Sequence, residues 1–199
     1  MEVNLKRKDD ALRHIVLSGH TQYQQPEITS CRHAGEVVPV GPYEVMAGGT
    51  MYLQSQDLQR ADVLVPLTDE WARLLRNGHR YDVLPAILPD FGGVPKNWRN
   101  FLCGKVLPLL EEGKKVLAFC TAGHGRTGTF LASLIAILES REQTPDPIKA
   151  VWERYCEEAV ETLAQAEGIF AIRGEELPDE HYQRTLRYGQ VLIPRNDES

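Results

Sequence analysis

Several features that assign a chain to a large class of proteins are missing from this sequence. No apolar run reaches the roughly 18 residues of a membrane-spanning helix, and residues 1–8 lack the apolar core of a secretory signal. The 22 Lys and Arg residues are outnumbered by 28 Asp and Glu residues, and a net charge of -6 argues against a general nucleic-acid or anionic-membrane binder. We therefore expect a cytoplasmic protein without a nucleic-acid or membrane partner. The sequence does not indicate an oligomeric state.

Cysteine is also sparse. The four cysteines include no Cys-x-x-Cys pair, so the sequence predicts neither a disulfide framework nor a structural zinc site. We expect no metal and no cofactor, because the histidines show no metal-ligand spacing. Three cysteines are predicted to be inert core or surface thiols: Cys31, Cys103 and Cys156. Five histidines are expected at the surface: His14, His20, His33, His79 and His181.

Strand and helix patterns alternate along the chain, which is typical of an α/β domain. A length of 199 residues suits a single domain spanning 1–199, of which residues 1–36 form an N-terminal extension that the sequence does not define. Strands are predicted at 37–40, 43–46, 62–67, 81–87 and 115–119. Helices are predicted at 69–76, at 98–112 with an interruption at Pro108, from Thr127 onward, from an N-cap at Thr144 and Pro145 through Tyr155, and from Pro178 through Leu186.

The most informative segment is residues 119–129, where a predicted strand enters a loop of small residues that opens a helix. Backbone N–H groups of such a loop can surround a tetrahedral anion at the helix N-terminus. Gly123 and Gly125 permit the close approach that this requires, and Arg126 can bind two phosphate oxygens with its planar guanidinium. We call residues 120–126 the anion loop.

Cys120 lies at the start of the anion loop, where the same groups would act on its sulfur. A free cysteine thiol, with a pKa near ~8.5, is mostly protonated at neutral pH and is then a weak nucleophile. Inward N–H groups, a helix N-terminus and an arginine all favour the thiolate. The loop that binds phosphate would thus also activate the nucleophile and hold the charge of the transition state.

The segment resembles the loop of the protein tyrosine phosphatase superfamily, Cys-x5-Arg followed by Ser or Thr. The resemblance implies a central mixed sheet flanked by helices, a cysteinyl-phosphate intermediate and catalysis without metal, with Thr127 hydrogen-bonded to the sulfur. It makes the anion loop the substrate-binding site, through Thr121, Ala122, Gly123, His124, Gly125 and Arg126. For His124, contact with substrate at the rim and simple exposure both remain open, and exposure is favoured.

Two further stretches resemble the tyrosine and dual-specificity branch of this superfamily, so that the resemblance covers about residues 62–165. Residues 88–95, which we call the acid loop, are similar to the family's Trp-Pro-Asp-x-Gly-Val-Pro, with leucine for tryptophan and one extra glycine. The resemblance makes Asp90 the general acid, which protonates a poor leaving group. Residues 160–165 are similar to Val-Gln-Thr-Ala-Asp-Gln, which implies that Gln165 positions the hydrolytic water. One departure is Phe119, where the family usually has histidine.

The expected function is hydrolysis of phosphomonoesters, with phosphotyrosine or phosphoserine/threonine in a protein or peptide as substrate. One alternative is a non-catalytic module of the same fold that binds phosphorylated ligands. Others are related Cys-x5-Arg enzymes, namely an RNA 5′-phosphatase, a phosphoinositide phosphatase or a sulfurtransferase. The acidic balance disfavours RNA, and the absence of lysine from residues 121–125 disfavours phosphoinositides.

Overall fold

A mixed five-stranded sheet forms the centre of the computed structural model, which describes residues 31–76 and 81–185. The strands are β1 (Ala34–Val40), β2 (Tyr43–Gly49), β3 (Val63–Pro66), β4 (Asp82–Val83) and β5 (Val116–Cys120). Their order in the sheet is β1-β2-β5-β3-β4; β1 is antiparallel to β2, and the other neighbours are parallel. The central strand β5 is buried along its whole length, as a parallel strand covered on both faces must be.

The helices lie between and after the strands. They are α1 (Ser55–Gln59), α2 (Asp69–Arg76), α3 (Trp98–Phe101), α4 (Leu107–Glu111), α5 (Gly125–Leu138), α6 (Pro147–Arg154), α7 (Leu163–Ile172) and α8 (Asp179–Thr185). A π-helical turn, Leu102–Val106, joins α3 to α4. Within the part of the chain that the structure describes, no helix is long and apolar enough to cross a membrane.

Each face of the sheet has its own apolar core. The larger core contains Val65, Ala118 and Cys120 of the sheet and the buried side of α5, including Phe130 and Leu134. The smaller core lies on the other face. It consists of Met46, Leu53, Ala61, Leu64, Leu75, Leu117 and Phe119. Since alternate residues of β5 point to opposite faces, Cys120 faces the helical bundle and Phe119 faces the smaller core.

The predicted α/β class, the mixed sheet and the single domain are confirmed, and most element boundaries agree. The strand predicted at 81–87 is only two residues long as β4. Beyond it the chain still follows β3 through hydrogen bonds from the N–H groups of Leu84 and Ala86, but Pro85 has no N–H to donate. The interruption expected at Pro108 takes the form of the π-helical turn just before it.

The predicted start of α6 is wrong by two residues. Asp146, not Thr144, caps the helix: its carboxylate accepts hydrogen bonds from the N–H groups of Ile148 and Lys149, and Pro147 takes the first helical position. Helix α5 begins at Gly125, two residues before the predicted Thr127. Predictions for residues 1–30, for His79 and for Leu186 fall outside the described residues.

Candidate active site

The anion loop leaves the carboxyl end of β5 and runs directly into α5. His124 is the N-cap residue of α5, and Gly125 and Arg126 are its first two residues. The N–H groups of the first turn of this helix therefore belong to the loop itself, which places the positive end of the helix dipole beside Cys120. The strand-loop-helix arrangement predicted from the sequence is confirmed.

The sulfur of Cys120 is enclosed and hydrogen-bonded. The residue is 3% exposed, and its Sγ lies 3.2 Å from the backbone N of Gly123 and 3.2 Å from Oγ1 of Thr127. The Thr127 hydroxyl lies equally close to the carbonyl oxygen of Gly48, so its single hydrogen can go to either acceptor. Both contacts to sulfur come from hydrogen-bond donors, the backbone N–H of Gly123 and the hydroxyl of Thr127. Thr127 therefore lies where the resemblance implied.

Two glycines allow the anion loop to lie against the end of β2. A Cβ atom on Gly49 would be 2.3 Å from the carbonyl carbon of Ala122, and one on Gly123 would be 3.0 Å from the backbone of Gly48. Gly123 also has φ +92°, a conformation that residues with a side chain rarely adopt. The shape of the loop thus depends on backbone-to-backbone packing that any larger residue would disturb.

Arg126 and Asp90 meet at the mouth of the anion loop. An Nη2 of Arg126 lies 3.2 Å from Oδ1 of Asp90 and 3.3 Å from Oγ1 of Thr121. The arginine side chain is only 14% exposed, whereas that of Asp90 is 64% exposed. The structure thus brings the aspartate of the acid loop to the arginine of the anion loop, 36 positions away in the sequence.

The acid loop rests on α7. A Cβ atom on Gly93 would lie 2.9 Å from the carbonyl oxygen of Ala164, and one on Gly168 would lie 2.6 Å from a methyl group of Val94. Gly93 belongs to the adjacent glycine pair that departs from the family pattern, and its missing side chain lets the loop pass close to the helix. Phe91, next to Asp90, has φ +54° and is 61% exposed, so the tip of the loop is strained and accessible.

Gln165 lies in the first turn of α7 and is 1% exposed. Its Oε1 accepts hydrogen bonds from the N–H groups of Glu161 and Thr162 in a capping box with Thr162. Its Nε2 has no hydrogen-bond partner among the described residues and lies 3.2 Å from the position that a Cβ on Gly125 would take. A buried, unpaired amide donor next to the anion loop can bind an oxygen of a ligand there.

Sequence reasoning did not single out Glu161, which lies against the anion loop. Its Oε2 would be 2.1 Å from a Cβ atom on Gly125, so only glycine fits between the carboxylate and the helix start. Burial, together with the nearby charge of Asp90, raises the pKa of Glu161 above its usual value of 4.5, although Arg126 opposes this. The preceding residue, Val160, has φ +61°, which is rare for a β-branched residue and marks a strained turn.

Tyr155, which the sequence places only at the end of a predicted helix, fixes the anion loop from behind. Its hydroxyl donates a hydrogen bond of 2.7 Å to the carbonyl oxygen of Gly123, and burial raises the pKa of the phenol. Phe119, which replaces the family's histidine, packs edge-on against Trp71 in the smaller core, with ring centroids 6.1 Å apart. That position therefore has a packing role in this chain.

The expectation that His124 is exposed is wrong. The residue is 3% exposed, so its ring is buried in the fold, where it lies 3.7 Å from Sγ of Cys156 and 4.8 Å, between centroids, from the ring of His33. Burial, and to a lesser extent His33, lowers the pKa of His124, which favours the neutral ring. The ring therefore packs against His33 and Cys156 and is not exposed at the rim of the anion loop.

The predicted surface placement of two other histidines is also wrong, since His33 is 3% and His181 2% exposed. The carboxylate of Asp146 accepts a hydrogen bond from Nε2 of His181 at 2.7 Å. Cys156 is buried and Cys31 is half-buried, with their sulfur atoms 3.6 Å apart. Cys31, His33, His124 and Cys156 thus lie close together. Sequence spacing does not predict this, because the four residues come from three separate segments of the chain.

Similar folds occur among solved phosphatase structures. The active form of Tk-PTP has a TM-score of 0.54 and 20% identity, covering 69% of this chain and 95% of that one. Kinase associated phosphatase, with its catalytic site cysteine replaced by serine, has a TM-score of 0.55 and 13% identity, covering 74% and 96%. Protein tyrosine phosphatase TbPTP1 of Trypanosoma brucei has a TM-score of 0.53 and 13% identity, covering 84% and 90%. The chain therefore has the fold of the protein tyrosine phosphatase superfamily, as its anion loop predicted.

Two uncharacterized proteins of Methanocaldococcus jannaschii are more similar in sequence. Each is 30% identical over 150 residues, which cover 70% of this chain and 92% and 86% of the two relatives. The chain belongs to one family with these archaeal proteins. No protein-family model matches the chain.

Proposed function

We propose that the protein is a cysteine-dependent phosphatase that hydrolyses phosphomonoesters through a cysteinyl-phosphate intermediate. The observation that carries this proposal is the meeting of Asp90 and Arg126, 3.2 Å apart, at the mouth of the loop that encloses Cys120. A nucleophile, an anion-binding arginine and an acid are the three groups that such a reaction needs. Two segments of the chain, the anion loop and the acid loop, supply them within one site.

In the first step, the phosphoryl group of the substrate binds to the guanidinium of Arg126 and to N–H groups of the anion loop. Arg126 then exchanges its contact with Asp90 for phosphate oxygens. The Cys120 thiolate attacks phosphorus, an S–P bond forms, and the bond from phosphorus to the ester oxygen breaks. Protonated Asp90 gives its proton to the departing oxygen, which leaves as an alcohol or phenol.

In the second step, water attacks phosphorus and the S–P bond breaks. Asp90, now a carboxylate, accepts a proton from this water. The unpaired Nε2 of Gln165 is available to hold the water or a phosphate oxygen. Cys120 leaves as a thiolate, which the hydroxyl of Thr127 at 3.2 Å and the N–H of Gly123 stabilise.

The test is turnover of para-nitrophenyl phosphate and of phosphopeptides by the wild type and three variants. We expect Cys120→Ser to abolish turnover but keep phosphopeptide binding, and Asp90→Ala to lower kcat by about 10². Asp82→Ala serves as the control for Asp90, because Asp82 is an exposed aspartate on β4 outside the site. A wild type that binds phosphopeptides without turnover would instead identify a binding module, and wild-type rates for Cys120→Ser would refute the mechanism.

For the substrate, we propose phosphotyrosine or phosphoserine/threonine in proteins. Residues 121–125 carry no lysine with which to neutralise a multiply phosphorylated headgroup. A phosphoinositide is the competing class, since a solved structure of similar fold, PTPMT1, is in complex with PI(5)P at a TM-score of 0.50 and 17% identity. Comparing kcat/KM for phosphotyrosine peptides, phosphothreonine peptides and short-chain phosphoinositides distinguishes these classes. A preference for the lipid would overturn the proposed protein substrate but not the mechanism.

A further inference from the structure

A compact group of four potential metal ligands lies behind the anion loop, away from the groups that would act on phosphate. One ligand atom from each of four residues lies within 4.8 Å of the other three. The four residues are Cys31, His33, His124 and Cys156. Three of them are buried and Cys31 is half-buried. Two thiols and two imidazoles in one buried place form a ligand set that zinc prefers in structural sites.

The distances between these atoms are close to those of a tetrahedral zinc site. With Zn–S near ~2.3 Å and Zn–N near ~2.0–2.1 Å, tetrahedral angles place two sulfurs about 3.8 Å apart and a sulfur about 3.5 Å from a nitrogen. The two sulfur atoms are 3.6 Å apart. Nδ1 of His124 is 3.7 Å from Sγ of Cys156 and 3.9 Å from Sγ of Cys31. The chain thus holds these atoms at the separations that one ion would require.

His33 provides a second, independent observation. Its ring is buried, and neither ring nitrogen makes a hydrogen bond with any residue that the structure describes. The Glu36 carboxylate lies 3.4 Å from Nδ1, beyond good hydrogen-bond geometry but on the side of the ring that would leave Nε2 for a metal. A carboxylate next to the second nitrogen of a ligating histidine is the usual companion of protein-bound zinc. Burying the unbonded Nε2 of His33 is otherwise costly, and a metal would satisfy it.

We propose that Cys31, His33, His124 and Cys156 bind one zinc ion. Four protein ligands leave no open coordination position, so the ion has a structural role and activates no water. The site is independent of the proposed phosphatase chemistry. Its consequence is mechanical: since His124 belongs to the anion loop, the ion ties that loop to residues 31–33 before β1 and to Cys156 after α6.

The two sulfur atoms could instead join in a disulfide, because 3.6 Å between them requires only a small movement. Forming a disulfide needs an external oxidant, such as dissolved oxygen, to accept two electrons and two protons from the thiols, and it would remove two of the four ligands. The two outcomes are therefore exclusive, and one set of measurements separates them.

The experiment measures metal content and cobalt spectra on protein purified under reducing conditions, loaded with excess zinc and passed through gel filtration. We expect about one zinc per chain for the wild type and for Cys103→Ser, which changes a half-buried cysteine outside the group. In Cys31→Ser and in Cys156→Ser the zinc affinity should fall at least about tenfold. Cobalt bound to the wild type should show thiolate charge-transfer bands and the intense visible bands of a tetrahedral ion, a result that needs no variant to fold. Removal of the metal with a chelator should lower Tm by about 5 °C or more.

Absence of zinc from wild type loaded in this way would overturn the proposal, as would a weak, octahedral cobalt spectrum. A chain mass lower by two hydrogens, with a cross-linked peptide containing Cys31 and Cys156, would overturn it in favour of the disulfide. None of these readouts is enzymatic. A zinc-bound protein that hydrolyses no phosphoester would therefore refute the proposed function and leave the metal site in place.

Discussion

The carboxylate of Glu139 joins three parts of the fold, and its replacement by glutamine tests how much that junction stabilises the protein. Glu139 follows the last residue of α5 and forms an ion pair with Arg154 at the end of α6. It also accepts hydrogen bonds from the N–H of Gly41 in the β1–β2 turn, at 2.8 Å, and from the hydroxyl of Thr144. Its side chain is 9% exposed, so solvent screens these contacts only weakly.

The pKa of Glu139 gives the size and the pH dependence of the effect. Burial alone would raise this pKa, but the contacts with Arg154, Thr144 and Gly41 outweigh burial and lower it from 4.5 to about 2. A depressed carboxyl pKa stabilises the folded state above the unfolded pKa, and this stability is lost as the pH falls toward 2. At 1.36 kcal/mol per pKa unit, the contribution at pH 7 is about 3 kcal/mol, of which about 2 kcal/mol is lost by about pH 3.

Urea unfolding of the wild type and Glu139→Gln at several pH values measures this contribution. The difference in the free energy of unfolding should be about 3 kcal/mol at neutral pH and should narrow to about 1 kcal/mol near pH 3. Taking the difference between two variants removes the contributions of all other carboxyl groups. Glu153→Gln is the matched control, because Glu153 is exposed on the same helix as Arg154.

If the difference in the free energy of unfolding between the wild type and Glu139→Gln stayed constant from pH 7 to pH 3, the argument would be refuted. The titration of Glu139 would then not be linked to folding. An equal loss of unfolding free energy in Glu153→Gln would refute it as well, because the change in net charge, and not the loss of the contacts of Glu139, would then explain the effect.

Two further predictions concern residues around the anion loop. Removing the charge of Glu161 with Glu161→Gln should strengthen vanadate binding at pH 7 by about fivefold, since about 1 kcal/mol of repulsion is relieved. The advantage should shrink as the pH falls, because protonation of the wild-type carboxyl, whose pKa is raised, neutralises the same charge; inhibition constants at several pH values check this, and a constant ratio would contradict it. Tyr155→Phe removes the 2.7 Å hydrogen bond to Gly123 and should lower the free energy of unfolding by about 1 kcal/mol and weaken vanadate binding. If neither the free energy of unfolding nor the affinity for vanadate changed, Tyr155 would not position the anion loop.

The sequence predicts those parts of the molecule whose structure is determined by residues that are neighbours in the chain. Apolar runs predict β3 and β5, and helical spacing predicts α5 and α2 with nearly their observed limits. The Cys-x5-Arg pattern predicts the anion loop for the same reason, because the strand, the glycine-containing loop and the start of the helix follow one another in the chain. Proline and short polar residues are less informative at α6, where Thr144-Pro145 and Asp146-Pro147 offer the same signal twice and only the second pair forms the cap.

Features that depend on distant segments could not be predicted in this way. Gly49 resembles a turn glycine in sequence, but glycine is needed there because the carbonyl group of Ala122, in the anion loop, approaches it closely. The burial of His33 and His124 depends on each other and on Tyr155, and nothing near either histidine in the sequence signals it. The position of Gln165 was predicted by resemblance, whereas its capping box with Thr162 and its free amide hydrogens emerge only from the structure.

The close packing of the acid loop on α7 links two events that the proposed mechanism keeps separate in time. In the proposed mechanism Asp90 acts in both half-reactions and Gln165 in the second, and Gly93 and Val94 of the acid loop contact the helix that carries Gln165. A displacement of α7 by one ångström would therefore misplace the proton donor and the water-holding amide together. A molecule that bound to the outer side of α7, far from the phosphate, and displaced this helix would therefore inhibit both steps of the reaction.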